Sequence, residues 1–253
     1  YLRQDVYLIL ATLVTGSNSR ILSLIYTNTG TISASKVFGT AAVNTNFQPL
    51  VSIVDQDHIL IAFNYGNNPD SIRGKIFMMN RNLISRWSKD FSANTPLRWV
   101  KQTDKNEFYV GAGSNVMKFD TTGKNLWSKN IANHQLMFNS VLNNDTAIYF
   151  STDFIDSRPD TAAIKRSRYK QVIALREDGK FLWFTDRIRA YKNDSFLAEY
   201  NSRLLFDGSK NIVLNTIDTI KGDSIPSIFA HSWDGLGKAS GSKYWSANSK
   251  VTD

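Results

Sequence analysis

Along most of the chain, apolar and polar side chains alternate over short runs that end in Asn, Asp or Gly. Alternation of that period lays one face of a strand against a core, and the bounding residues supply turns. The second stretch of the chain predicts strands at Leu50–Val54, His58–Asn64, Gly74–Met79 and Ile84–Phe91. The third predicts Leu97–Gln102, Glu107–Gly111, Asn115–Phe119 and Lys124–Ile131. The fourth predicts Asn139–Asn143, Ala147–Phe154, Gln171–Arg176 and Lys180–Ile188, with an insertion near Ile155–Lys170. The fifth runs through Arg203–Asp207, Asn211–Asp218 and Ser227–Ser232 towards Tyr244–Trp245. The first shows only Val6–Thr15, Ile21–Thr27 and Thr31–Phe38. No stretch carries an amphipathic helical stripe over three turns.

These groups repeat. Val116–Trp127 (VMKFDTTGKNLW) and Val172–Trp183 (VIALREDGKFLW) align without a gap, and their glycines, Gly123 and Gly179, lie 56 residues apart. A further 56 residues lead to Gly235 in Ile228–Gly235 (IFAHSWDG). Weaker copies occur at Ile76–Trp87 and Ser23–Gly30, spaced by 53 and 40 residues. Such intervals fit a four-stranded propeller blade with insertions. A sheet with two apolar faces hides them only by stacking on another sheet. The expected fold is therefore all-β: a single β-propeller domain over residues 1–253, built of four-stranded antiparallel blades. About five blade-like units are detectable, near 1–40, 47–91, 96–131, 134–188 and 196–246. Trp87, Trp127 and Trp183 hold equivalent places and are expected to pack between blades. His231 is aligned with Tyr26, Met79, Phe119 and Leu175, as a core residue.

The phrases FDTTGKNLW and LREDGKFLW resemble the repeat of the quinoprotein-like (PQQ-like) β-propellers. That superfamily includes quinone-dependent alcohol dehydrogenases and the propeller lipoprotein of the outer-membrane β-barrel assembly machine. Two copies match well and three in outline, from Ser23 to Gly235. The resemblance implies a propeller and leaves the function open, because one fold hosts many activities. The dehydrogenases use about eight blades, a calcium-bound quinone and a vicinal cysteine pair. This chain has no cysteine.

That absence also excludes disulfides, a thiol nucleophile and thiolate-held metal clusters. The chain holds 19 Asp against 3 Glu, with 26 Ser, 18 Thr and 23 Asn, a turn-rich composition poor in helix formers. His58, His134 and His231 are scattered, with no HExxH, GxSxG or GxxxxGK[ST] arrangement. Asp153 and Asp156 lie close in sequence but read as ordinary loop residues, and Asp218 and Asp223 lack calcium-loop spacing. The expectation is a non-enzyme with no catalytic residue, cofactor or metal. The longest apolar run, Val6 to Val14, is too short to span a bilayer as a helix.

Two features point to function. Arg158–Lys192 hold ten basic and four acidic side chains, most of the chain's net charge of +8. Lys165, Arg166, Arg168, Lys170, Arg187 and Arg189 are the candidate contacts to an acidic protein surface or to anionic lipid head groups. No nucleic-acid motif accompanies them. Second, Asp-Ser/Thr followed by a small or apolar residue resembles an O-glycosylation sequon of exported bacterial proteins. It occurs six times, with candidate acceptors Ser71, Thr121, Thr146, Thr161, Thr219 and Ser224, where composition alone gives about one. The leading reading is a docking or scaffold subunit of a bacterial envelope assembly, in the periplasm or at the outer membrane. Its partner would be outer-membrane assembly or secretion machinery, which it could cap or plug. A carbohydrate- or ligand-binding surface propeller is the second reading, and a fragment of a quinone-dependent dehydrogenase the third.

Overall fold

The computed structural model describes residues 6–15, 18–38, 49–55, 57–66, 71–92, 95–103, 105–132, 134–155, 168–186, 188–189, 203–219 and 226–246. Their strands form five antiparallel sheets. The first contains β1 (Val6–Thr15), β2 (Asn18–Thr27) and β3 (Ile32–Phe38). The second contains β4 (Leu50–Ile53), β5 (Ile59–Tyr65), β6 (Arg73–Met79) and β7 (Ser85–Asp90). The third contains β8 (Leu97–Gln102), β9 (Glu107–Ala112), β10 (Asn115–Asp120) and β11 (Asn125–Asn130). The fourth contains β12 (His134–Asn143), β13 (Ala147–Ile155), β14 (Arg168–Arg176) and β15 (Phe181–Phe184), and β16 (Ile188–Arg189) also pairs with β14. The fifth contains β17 (Arg203–Phe206), β18 (Ile212–Thr219), β19 (Pro226–Trp233) and β20 (Ala239–Ser246). Strands in every sheet follow one another as a meander, and no α-helix occurs among the described residues.

The chain forms two compact units, Tyr1–Lys129 and Asn130–Asp253. In the first, β4 packs beside β8; in the second, β12 packs beside β17. First strands of successive sheets are thus neighbours, as in propeller blades. The faces between sheets are apolar. Ile21, Ile25 and Phe38 of the first sheet meet Ile61, Phe63 and Met79 of the second. Tyr149, Val172 and Ala174 of the fourth meet Leu204, Leu214 and Trp233 of the fifth.

One turn recurs between the third and fourth strands of sheets two to five and between β2 and β3 of the first, and it draws on the Asp- and Asn-rich composition. Its residue with positive φ is Gly30, Leu83, Gly123, Gly179 or Gly237. In the turns of Leu83, Gly123 and Gly237 the side chain three positions earlier ties the loop together. Asp120 Oδ1 accepts from the N–H of Thr122 and Lys124 at 2.9 and 3.0 Å. Asn80 and Asp234 do the same in their turns, and Asp207 caps a first-to-second-strand turn alike. These are local Asx-turn bonds. The geometry also corrects the register of the last repeat: Gly237, not Gly235, is the turn glycine. Trp233 therefore takes the core place of Phe119, and His231 stands two residues before it.

The turn carboxylates make the fold acid-sensitive. For Asp120, burial acts upwards, but the Thr122 hydroxyl and the amides of Lys124 and Thr122 outweigh it and hold the pKa below the ordinary value. Asp207 is likewise lowered, chiefly by the Asn211 side chain. A carboxylate that titrates lower folded than unfolded adds stability above about pH 4, lost as pH falls through the folded value. Asp120→Asn and Asp207→Asn together should keep both turns, as Asn80 does, and flatten the fall of Tm between about pH 4 and 2. An unchanged acid limb in the double variant would assign that limb to other groups.

Candidate functional site

The sheets are clasped together near the recurring turn. Trp87 on β7 reaches the third sheet, where its Nε1 donates to the Thr121 carbonyl at 2.9 Å and its ring stacks on Phe108 at 6.1 Å. Trp183 on β15 repeats this on the fifth sheet, donating to the Gly235 carbonyl at 3.0 Å. Both rings cover a turn glycine. A Cβ on Gly237 would lie 2.6 Å from Trp183, and one on Gly123 would lie 3.0 Å from Trp87. All three repeat tryptophans are half-buried rather than enclosed, and Trp127 packs on Tyr109 of its own sheet at 5.8 Å. Two buried contacts carried no repeat signal. Asn64 on β5 is bonded twice to the backbone of Leu97 on β8, and Trp99 on β8 lies over Gly111 on β9.

The fourth sheet is chemically distinct. On β12, β13 and β14 sits a group of buried polar side chains: Ser140, Ser151, Thr152, Asp153, Lys170 and Gln171. His134 Nε2 lies 2.8 Å from Gln171 Oε1, and Gln171 Nε2 donates to the Thr185 carbonyl at 2.8 Å. Asp153 faces Lys170 directly across the ladder. Lys170 is only 4% exposed, so this candidate contact is corrected to a structural cation. The insertion narrows accordingly. Ile155 and Arg168 are paired strand residues, because the polar layer keeps the ladder continuous to that point.

The edge strand of this sheet is also unusual. On β7 the exposed positions are polar and on β11 Leu126, at 40%, is the one exposed apolar side chain, whereas on β15 Phe181, Leu182 and Phe184 are 48%, 48% and 68% exposed. Beside Phe184 an open cleft of about 610 Å³ separates the end of β15 from the hairpin of β19 and β20. Thr185, Asp186, His231, Trp233 and Ser242 help to line it. The rings of His231 and Trp233 stack at 6.2 Å, and burial pushes the His231 pKa down.

Of the other basic candidates, Arg168 and Arg189 fall on adjoining strands, with Arg189 opposite Tyr169. Lys165, Arg166 and Arg187 lie outside the described residues, as does most of the insertion. Among the sequon candidates, Ser71 and Thr146 are exposed, and the Thr146 hydroxyl bonds to Asn144 at 3.0 Å. Thr121 is half-buried in the turn that Trp87 clasps. Thr219 ends β18 opposite Pro226, in a strand rather than a loop, while Thr161 and Ser224 lie outside the described residues. Among the described residues no cluster of three or more His, Asp or Glu is placed to hold a metal. No helix among them is long and apolar enough to cross a membrane.

No family model and no curated protein matches the sequence. Solved structures do match. An ancestral GH74 enzyme superposes with a TM-score of 0.50 at 14% identity, over 97% of this chain and 33% of that one. A protein of unknown function from Bacteroides caccae gives 0.43 at 8% identity, over 74% of this chain and 73% of that one. An α-L-arabinofuranosidase from Clostridium thermocellum gives 0.41 at 12% identity, over 94% of each chain. Likeness at this level speaks to fold alone. The chain is an all-β β-propeller of four-stranded antiparallel blades, and it spans about a third of the length of the GH74 enzyme.

Proposed function

We propose that the chain is a non-enzymatic docking propeller of a bacterial cell envelope, periplasmic or bound at the outer membrane. Blade four meets an acidic protein surface within a larger assembly, such as outer-membrane protein assembly or secretion machinery. The observation that carries this reading is the edge strand β15. Exposed sheet edges are ordinarily guarded by charge, and a lasting apolar edge marks a partner site. Phe181, Leu182 and Phe184 provide that apolar edge, within the stretch Arg158–Lys192 of net charge +6. Basic and apolar groups together fit an acidic partner with an apolar centre. The envelope setting rests on the resemblance to PQQ-like repeats and on the six sequons.

Co-purification from envelope extracts tests this. Phe181→Ser with Phe184→Ser should abolish capture of membrane-embedded partners while leaving the fold intact. Changing Lys165, Arg166 and Arg168 to Ser should slow association and flatten its salt dependence. Capture unchanged by both sets would return blade four to an ordinary solvated face. The competing reading, a carbohydrate-binding propeller, draws on the aromatic cleft beside Phe184 and would instead give retention on a glycan array.

A further inference from the structure

Four of the five blades repeat a Ser-Lys pair on the outer strand: Ser35-Lys36, Ser88-Lys89, Ser128-Lys129 and Ser242-Lys243. Each lysine stands six positions after the positive-φ residue of its turn. Lys36 and Lys89 show what the pair does. The ammonium of Lys36 donates to the Leu83 carbonyl of the next blade at 3.2 Å. That of Lys89 sits 4.9 Å from the centre of the Phe119 ring, also on the next blade. An ammonium is drawn to the face of an aromatic ring, and its alkyl stem covers apolar surface on the way.

Blade four breaks the pattern. Its residues at these places are Phe184 and Thr185. Thr185 is buried and short, and its Oγ1 accepts the Val172 N–H at 3.0 Å, so it spans nothing. Opposite it, where Phe119 stands beneath Lys89, blade five places Trp233, the ring type that binds cations best. The space between is the open cleft, with the exposed Asp186 in its wall. Burial holds the His231 pKa below its ordinary value, which favours the uncharged ring beside the cleft.

We propose that this cleft binds an alkylammonium group at the place that the repeat's own lysine fills elsewhere. The group could be brought by a lysine side chain of a protein or by a free polyamine. The inference stands apart from the docking reading, because it comes from the repeat and the cleft alone.

The test is an amide NMR titration of the whole chain with Nα-acetyl-lysine amide, with spermidine and with n-butanol as a neutral isostere. Both amines should shift Gly241, Ser242 and the Trp233 indole N–H, with a dissociation constant on the order of 1 mM for the better one. Tighter binding of spermidine assigns the site to polyamines, and tighter binding of the lysine amide assigns it to protein side chains. Asp186→Asn, at an exposed position, should weaken binding at least tenfold. Thr185→Lys should abolish it by supplying the missing ammonium, although it also removes the acceptor of the Val172 N–H. If that variant folds poorly, Asp186→Asn decides alone. Equal shifts with butanol, no shift with either amine, or unaltered affinity in Asp186→Asn would overturn the proposal.

Discussion

Replacing Trp99 by alanine is expected to destabilise the fold by about 3–5 kcal/mol, the range for large-to-small changes in a closed core. The side chain is 1% exposed, among the largest fully buried groups of the chain. Its ring lies against the backbone of Gly111, its cross-strand partner. A Cβ there would come within 2.3 Å of the ring atom Cε2. Glycine at 111 thus serves close approach rather than backbone freedom, and Gly111→Ala must displace the ring or the strand, at about 1–3 kcal/mol. The two costs should not add. Once the ring is gone, the methyl group at 111 meets open space, and the second substitution should cost less than about 0.5 kcal/mol. Urea unfolding of the two single variants and the double variant measures this cycle. Additive costs would show that Gly111 is required for some reason other than Trp99.

The blades were legible in the sequence because their determinants are local. An Asp or Asn, two residues, then a positive-φ residue fixes a turn within five positions, and alternation fixes the strands on either side. Legibility failed where two local solutions compete or where partners are distant. In Trp233–Lys238 (WDGLGK) both glycines suit a turn, and only the bonds of Asp234 to Leu236 and Lys238 select Gly237. Asn64 acts across sheets, 33 residues from its partner, Trp99 acts on the next strand of its own sheet, and neither leaves a periodic mark. Lys170 looked like part of a solvated basic run, but its exposure is set by the register that puts it opposite Asp153. The candidate site lies between these cases. The change from Trp-Ser-Lys to Trp-Phe-Thr in blade four is plain in the sequence, yet its meaning depends on Lys36 and Lys89 reaching the next blade.

Asn64→Ala is expected to cost about 2–4 kcal/mol, because it strands two backbone groups at once. Asn64 is 1% exposed. Its Nδ2 donates to the Leu97 carbonyl at 3.0 Å, and the Leu97 N–H donates to its Oδ1 at 2.7 Å. The side chain stands in for a rung of ladder between blade two and blade three, beside the isolated parallel bridge of Arg73 with Thr95. Asn64→Asp separates this geometry from mere packing. A protonated carboxyl has one donor and one acceptor in nearly the arrangement of the amide, so it can make both bonds. A carboxylate can accept from the Leu97 N–H but meets the Leu97 carbonyl with a lone pair, and its burial is costly. Burial raises the folded pKa above the unfolded value, so the variant's deficit is smallest below about pH 4 and grows as pH rises through the folded value. Wild type and variant should therefore converge as pH is lowered from 7 to 4, above the range in which the turn carboxylates are protonated. A gap in Tm that stays constant across that interval would show that the two Leu97 bonds are not what Asn64 contributes.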